Sequence, residues 1–185
     1  MAERIRTDNI KFDEHKLEQL ILYFAVKCKD DPKFGSTKLN KMLYAADFLA
    51  YANLGKPITG ATYQHLERGP APRELLPTRK QMEQDNYLKM ELTDYHGKSQ
   101  QRPIALVEPD YKTFSEDELK LCDYIISQFC GVGGTESSEW SHKRLGWLFT
   151  TDREEIPYFT IYMWEKEPIT QADIEWARTR LGKHQ

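Results

Sequence analysis

A single stretch constrains this fold more than any other: Gly35-Ser-Thr-Lys-Leu-Asn-Lys-Met-Leu-Tyr-Ala-Ala-Asp-Phe-Leu-Ala-Tyr-Ala-Asn-Leu-Gly55. At about 100° per residue, Leu39, Met42, Leu43, Ala46, Ala50 and Leu54 form one apolar face. Tyr44, Phe48 and Tyr51 form a second stripe nearly opposite. Asn40 and Asp47 lie along one seam, Lys38 and Lys41 along the other. A helix that is apolar on almost every side belongs in the interior, so its few polar groups need partners there. Both ends are marked. Ser36 can cap the first turn through its hydroxyl, and Gly55 suits a left-handed closing residue. The expectation is a buried central helix over 36–54, wrapped by the rest of the chain.

The other elements follow in order. Residues 1–12 are polar and read as loosely held. Over 13–28, Leu17, Leu20, Ile21, Phe24 and Cys28 recur at helical spacing, and Pro32 and Gly35 then break the pattern. Ile58, Ala61, Tyr63 and His65 alternate as in a short strand near 61–66. Pro70 and Pro72 make a rigid turn, and Pro72 opens a helix running to about residue 84, kinked or delayed by Pro77. Residues 87–93 and 102–109 read as paired strands around a polar loop over 95–101. With the strand near 61–66 they imply a three-stranded antiparallel sheet leaning on the helices. Ser115 and Glu118 form a capping box for a helix carrying Leu119, Cys122, Ile125, Ile126 and Phe129, which stops near Gly131. A further helix restarts at Thr135 or Ser137 and runs through His142. Residues 145–151 read as a turn-rich link holding Trp147. Residues 156–164 read as a buried apolar segment ending in a short helix, and 170–181 as a last helix. The fold class is therefore α+β and mostly α-helical: a central buried helix in a helical bundle, with a small three-stranded antiparallel sheet. A length of 185 residues fits a single domain,.

Charge and motifs narrow the function classes. Lys and Arg total 26 against 29 Asp and Glu, so no broad electrostatic case for nucleic acid exists,. Lys38, Lys41, Arg68, Arg73, Arg79 and Lys80 leave room for a local basic patch. No apolar run reaches the about 20 residues that a membrane helix needs, and the N-terminus lacks the apolar centre of a secretory signal. Cys28, Cys122 and Cys130 read as reduced, buried thiols, which points to a cytoplasmic protein. His15, His65, His96, His142 and His184 are scattered, without His-x-x-x-His or Cys-x-x-Cys spacing, so neither a metal nor a cofactor is expected. Gly131-Val-Gly-Gly134 lacks the lysine of a phosphate loop and reads as a helix stop. Cys122 and Cys130 lie on apolar faces and read as packing residues rather than nucleophiles.

Two constellations remain. One is Pro57-Ile-Thr-Gly-Ala-Thr-Tyr63 with Glu67-Arg-Gly-Pro-Ala-Pro-Arg-Glu-Leu75. The other is Ser137-Ser-Glu-Trp-Ser-His142 with Trp147 and Ile156-Pro-Tyr158. Either they are architecture, tight turns with satisfied polar groups, or they rim a recognition groove, since aromatic and Arg side chains anchor interfaces. These motifs, with the stretch from Lys38 to Tyr51, resemble the Panacea domain, the SocA-like antitoxin family. The resemblance spans about 12–162, leaving 165–185 as a C-terminal helical extension. It implies a mostly helical domain that neutralises a cognate protein toxin by direct binding, in a bacterial or prophage toxin–antitoxin system. Some relatives act as adaptors that deliver the toxin to a protease or unfoldase. It carries no catalytic residues over, so a non-enzymatic protein is expected. On this reading Tyr63, Arg68, Arg73, Trp140, His142 and Trp147 are the partner contacts. Lys38, Leu39, Lys41, Tyr44, Asp47, Gly60, Gly69, Pro70 and Pro157 hold the structural motif. Two other classes stay open: a DNA-binding regulator of its own operon, and a small hydrolase or transferase in which His142 meets a carboxylate and a nucleophile.

Overall fold

Asp13 opens the first helix. In the computed structural model, which describes residues 10–95 and 97–163, its carboxylate accepts from the Lys16 amide at 2.9 Å. Helix α1 (Glu14–Lys27) then buries Leu17, Leu20, Ile21 and Phe24. Helix α2 (Ser36–Leu54) ends at Gly55 in the left-handed conformation, φ 78°. Its start departs from the sequence expectation. Gly35, not Ser36, occupies the cap position, and no side chain caps the first turn. That position is also crowded: a Cβ on Gly35 would meet the Gln100 side chain at 2.6 Å.

Both stripes of α2 are covered, so the helix is the central rod that its periodicity implies. Leu39, Met42, Leu43, Ala46 and Ala50 join α1 and the later helix carrying Cys122 and Ile125 in the larger core. Tyr44 and Phe48 join Ala61, Tyr63, Ile156 and Ile161 in a second, aromatic core. Leu54, at the helix end, is exposed.

The domain is mostly helical with antiparallel strands, but the three-stranded sheet divides into two ribbons. Strand β1 (Tyr63–Gln64) pairs with β2 (Ala71–Pro72). Strands β3 (Leu88–Tyr95) and β4 (Lys98–Ala105) form a separate hairpin. The reason lies in the edges of β1. One edge is taken by β2. The other is taken by residues 154–156, through His65 N–H to the Glu154 carbonyl at 2.9 Å and Ile156 N–H to the Tyr63 carbonyl at 2.8 Å. No edge is left for the hairpin. The hairpin ladder also runs further than expected. Tyr95 pairs with Lys98, so the strands take in most of the polar loop expected over 95–101.

Helix α3 (Leu75–Gln84) holds Pro77 in its first turn, where a missing N–H is harmless. Helix α4 (Glu116–Gln128) starts with the expected capping box between Ser115 and Glu118. Helix α5 (Gly134–His142) is followed by a one-turn helix, α6 (Leu145–Leu148), in place of the expected link. A 3-10 helix over Tyr158–Met163 follows. Ile156 and Ile161 face inward there, whereas Phe159, Tyr162 and Met163 are exposed. Cys28 and Cys122 are buried, but Cys130 is exposed, past the end of α4, and so is not a packing residue. The helix expected over 170–181, the extension over 165–185, and His96 and His184 lie outside the described residues. No described helix is long and apolar enough to cross a membrane.

Candidate partner-binding site

The polar residues of α2 build the site from beneath. Asp47 is fully buried. It accepts from the Thr59 amide at 2.7 Å, the Thr59 hydroxyl at 2.5 Å and the Tyr63 hydroxyl at 2.8 Å. Burial outweighs these donors and pushes its carboxyl up to about 6. Lys38 reaches back to Asp31 at 2.5 Å. Lys41 has no ion pair among the described residues. Its buried ammonium donates to the Pro70 carbonyl at 2.8 Å, and burial pushes its pKa down to about 7.

Pro70 is held from the other side as well. The residue before it, Gly69, has φ 90°, and a Cβ there would meet the Ser141 hydroxyl at 2.3 Å and Lys41 Cε at 2.8 Å. Only glycine fits both the backbone conformation and the space. Ser138, on α5, donates to the Arg68 carbonyl at 3.0 Å. The loop 66–70 is thus clamped between α2 and α5, while Arg68 and, beyond the Pro70–Pro72 turn, Arg73 point outward and are exposed.

Behind this loop Trp147 lies between two imidazoles. His65 stacks at 4.2 Å on one side and His142 at 4.1 Å on the other. Its indole N–H donates to the Leu66 carbonyl at 3.2 Å. Burial, then the nearby Lys41, holds His142 below the usual imidazole range. Trp140 sets its ring against Phe129 at 5.2 Å, and the Arg144 guanidinium lies 4.5 Å over that ring. Among the described residues, His142 faces an aromatic ring and a lysine rather than a carboxylate paired with a nucleophile. No cluster of His, Cys, Asp and Glu suited to a metal ion occurs among them either.

In front of the loop lies a groove of about 470 Å³. It is lined by the uncapped start of α2 with Asn40 and Lys41, by the arginine loop and the start of α3 with Arg79, and by Gln101, Asp152 and Arg153.

The sequence of residues 39–148 matches the family described as antitoxin SocA-like, Panacea domain. The chain belongs to this family. No curated protein and no solved structure matches it. The Panacea match takes in most of α2, both ribbons and α3 to α6, and with them the Lys41–Gly69–Ser141 clamp and the Trp147 stack. It stops short of Pro157, whose carbonyl accepts from the Thr160 hydroxyl at 2.7 Å and starts the 3-10 turn.

The residues singled out in the sequence fall into three places. Arg68 and Arg73 are exposed beside the groove. Trp140, His142 and Trp147 are half-buried and do not line the groove. Tyr63 is only 1% exposed, with its hydroxyl on Asp47, so it braces the site from inside and presents no surface to a partner. Gly60 packs against the Lys11 carbonyl. Leu39 and Tyr44 belong to the two cores. Asn40 and Arg153 carry no local signal of a role in binding. Only the fold brings them to the groove.

Proposed function

We propose that this protein neutralises a cognate toxin by binding it directly, with the loop 66–73 and the adjoining groove as the contact surface. The observation that carries this reading is the clamped loop itself. Arg68 and Arg73 are displayed on backbone that Lys41, Ser138 and the crowding at Gly69 fix in advance. Arginine on a rigid support is the residue type that dominates interface energetics, and preorganisation lowers the entropy lost on association. An antitoxin role is the character of the family; toxin capture by this surface is our reading for this chain. An interface of about 1,600 Å² would extend from the loop over the groove.

Co-expression with the product of the adjacent gene tests it. The reading expects that product to arrest growth alone, to be tolerated with the parent protein, and to co-purify with it. A product that is harmless alone, or that stays toxic beside the parent, sinks the proposal. The toxin's cellular half-life then separates two modes: it is unchanged if the toxin is blocked, and shortened if the toxin is delivered to a protease. Regulation of its own operon through the same arginines predicts retention on promoter DNA that falls steeply with salt.

A further inference from the structure

The groove has a charge pattern that neither the overall composition nor the family description explains. The chain as a whole is acidic, with net charge −3. Yet four guanidinium groups line this one groove, those of Arg68, Arg73, Arg79 and Arg153, against two carboxylates, Glu67 and Asp152. Some cations elsewhere in the domain are paired, as in Lys16 with Glu118 at 2.7 Å and Lys120 with Glu116 at 2.8 Å. Arg68, Arg73 and Arg79 make no ion pair among the described residues. The one acid acting on Arg79 is Glu83, a turn further along α3, and Glu83 is engaged by the Met90 amide at 3.2 Å. Arg153 meets Asp152 only loosely, at 3.7 Å.

A further feature points the same way. The start of α2, a helix of 19 residues without a side-chain cap, opens on the groove through Ser36 and Thr37. Free amides at such an end favour an anion. A ligand that fits the site therefore brings negative charge for the arginines and for the open helix end. A peptide with acidic side chains does so. The apolar part of the lining, Pro72, Leu75 and the exposed Leu76, suits the aliphatic stems of such a segment. No aromatic ring lines the groove among the described residues, so it lacks the stacking platform that single-stranded nucleic acid uses.

We propose that this groove is the receptor for an acidic peptide segment of the protein partner, seating its carboxylates on Arg68, Arg73 and Arg79 at the open end of α2. This rests on the partner-binding reading above. Bidentate pairing of guanidinium with carboxylate supplies strength and orientation, and partial desolvation in the groove makes each pair stronger than one at the open surface.

The test uses the full chain and a fluorescein-labelled peptide of alternating glutamate and glycine, followed by fluorescence anisotropy. The expected result is saturable binding about tenfold or more tighter than that of the matching glutamine–glycine peptide, weakening as salt is raised. Arg68→Gln and Arg73→Gln, both at exposed positions, are expected to weaken it several-fold each without moving the melting temperature. Arg79→Gln is expected to do the same, with circular dichroism confirming its fold. Equal binding of the two peptides, or variants that bind like the parent, overturns the proposal. So does full displacement by inorganic phosphate in equal amount, or tighter binding of an oligothymidylate than of the acidic peptide. Co-expression separates the two failures. If the parent neutralises the adjacent gene's product and the Arg68→Glu/Arg73→Glu variant does so equally well, the groove proposal falls and the antitoxin reading stands. If the parent fails to neutralise while the peptide results hold, the reverse is true.

Discussion

Replacing Gly69 by alanine tests the clamp on which the binding surface depends. Two separate strains arise. A side chain at φ 90° lies in the left-handed region, which costs about 1–2 kcal/mol for a residue with a Cβ. The added methyl would also sit 2.3 Å from the Ser141 hydroxyl and 2.8 Å from Lys41 Cε, an overpacking that costs about 1–3 kcal/mol. The sum is about 2–5 kcal/mol, and each kcal/mol lowers the melting temperature of a chain this size by about 2–4 °C, so a fall near 10 °C is expected. Gly131→Ala is the control. Its φ of 72° imposes the same backbone strain, but nothing lies within 4 Å of the added atom. Thermal unfolding followed by circular dichroism should therefore rank Gly69→Ala well below Gly131→Ala. Adding Ser141→Ala removes the closest contact, so the double variant should lose less than the two single losses combined. If Gly69→Ala melts no lower than Gly131→Ala, or if the pair is additive, the loop is not wedged between α2 and α5 and the clamp argument fails.

The other predictions concern groups around the same clamp. Lys41 titrates near 7 in the fold and near 10.4 when unfolded. Between those values the unfolded chain carries the extra proton, so stability rises with pH there, by up to about 1.4 kcal/mol per pH unit. Lys41→Met should remove that slope, read as the shift in urea midpoint between about pH 8 and about pH 9; an unchanged slope refutes the assignment to Lys41. Asp47→Ala strips the Thr59 amide and the Tyr63 hydroxyl of their acceptor and should cost about 3 kcal/mol or more, with Asp47→Asn costing roughly half because one acceptor survives. Equal losses in chemical denaturation contradict the three-donor arrangement. Trp147→Phe keeps a ring between His65 and His142 and loses only the donor to Leu66, about 1 kcal/mol. Trp147→Ala opens the stack and should cost about 3 kcal/mol.

How far the residues alone reach is best judged on α2. Its two stripes follow from spacing, because a helix apolar on opposite faces has only the interior to occupy, and the two cores found on either side are what that pattern demands. The cap at Gly35 does not follow from spacing. Gln100, which crowds that position, arrives from a hairpin far along the chain. The strand at Tyr63 was expected from its alternation, but its neighbours were not. Edge pairing is decided by which segment lies alongside in space, and of residues 154–156 only Ile156 carries a local signal, as the start of the apolar segment over 156–164. The imidazoles on Trp147 come from positions 65 and 142, and the groove from residues near 36–41, 64–79, 101 and 152–153. Local pattern names several of these side chains yet cannot assemble them. Tyr63 shows the converse limit: chemistry marks it as a contact residue, while a hydrogen bond to a buried carboxylate turns it inward.

The buried charges of α2 take on a common meaning in this light. Lys38, Lys41 and Asp47 lie on successive stretches of one rod, and each ties down a neighbouring turn or the strand end beside it: Lys38 the turn at Asp31, Lys41 the carbonyl of Pro70, Asp47 Thr59 and the start of β1 at Tyr63. Apolar side chains at these sites would bury as well and avoid desolvation, so stability does not account for them. Directional bonds do what packing cannot, since they fix where a loop's backbone lies and not merely that it is covered. In this domain the ribbon β1–β2 is only two residue pairs long and could not hold the arginine loop in place unaided. The polar tethers of α2 supply the missing rigidity. Buried lysines at positions where an apolar side chain would also pack thus find their reason in where they hold the loop backbone.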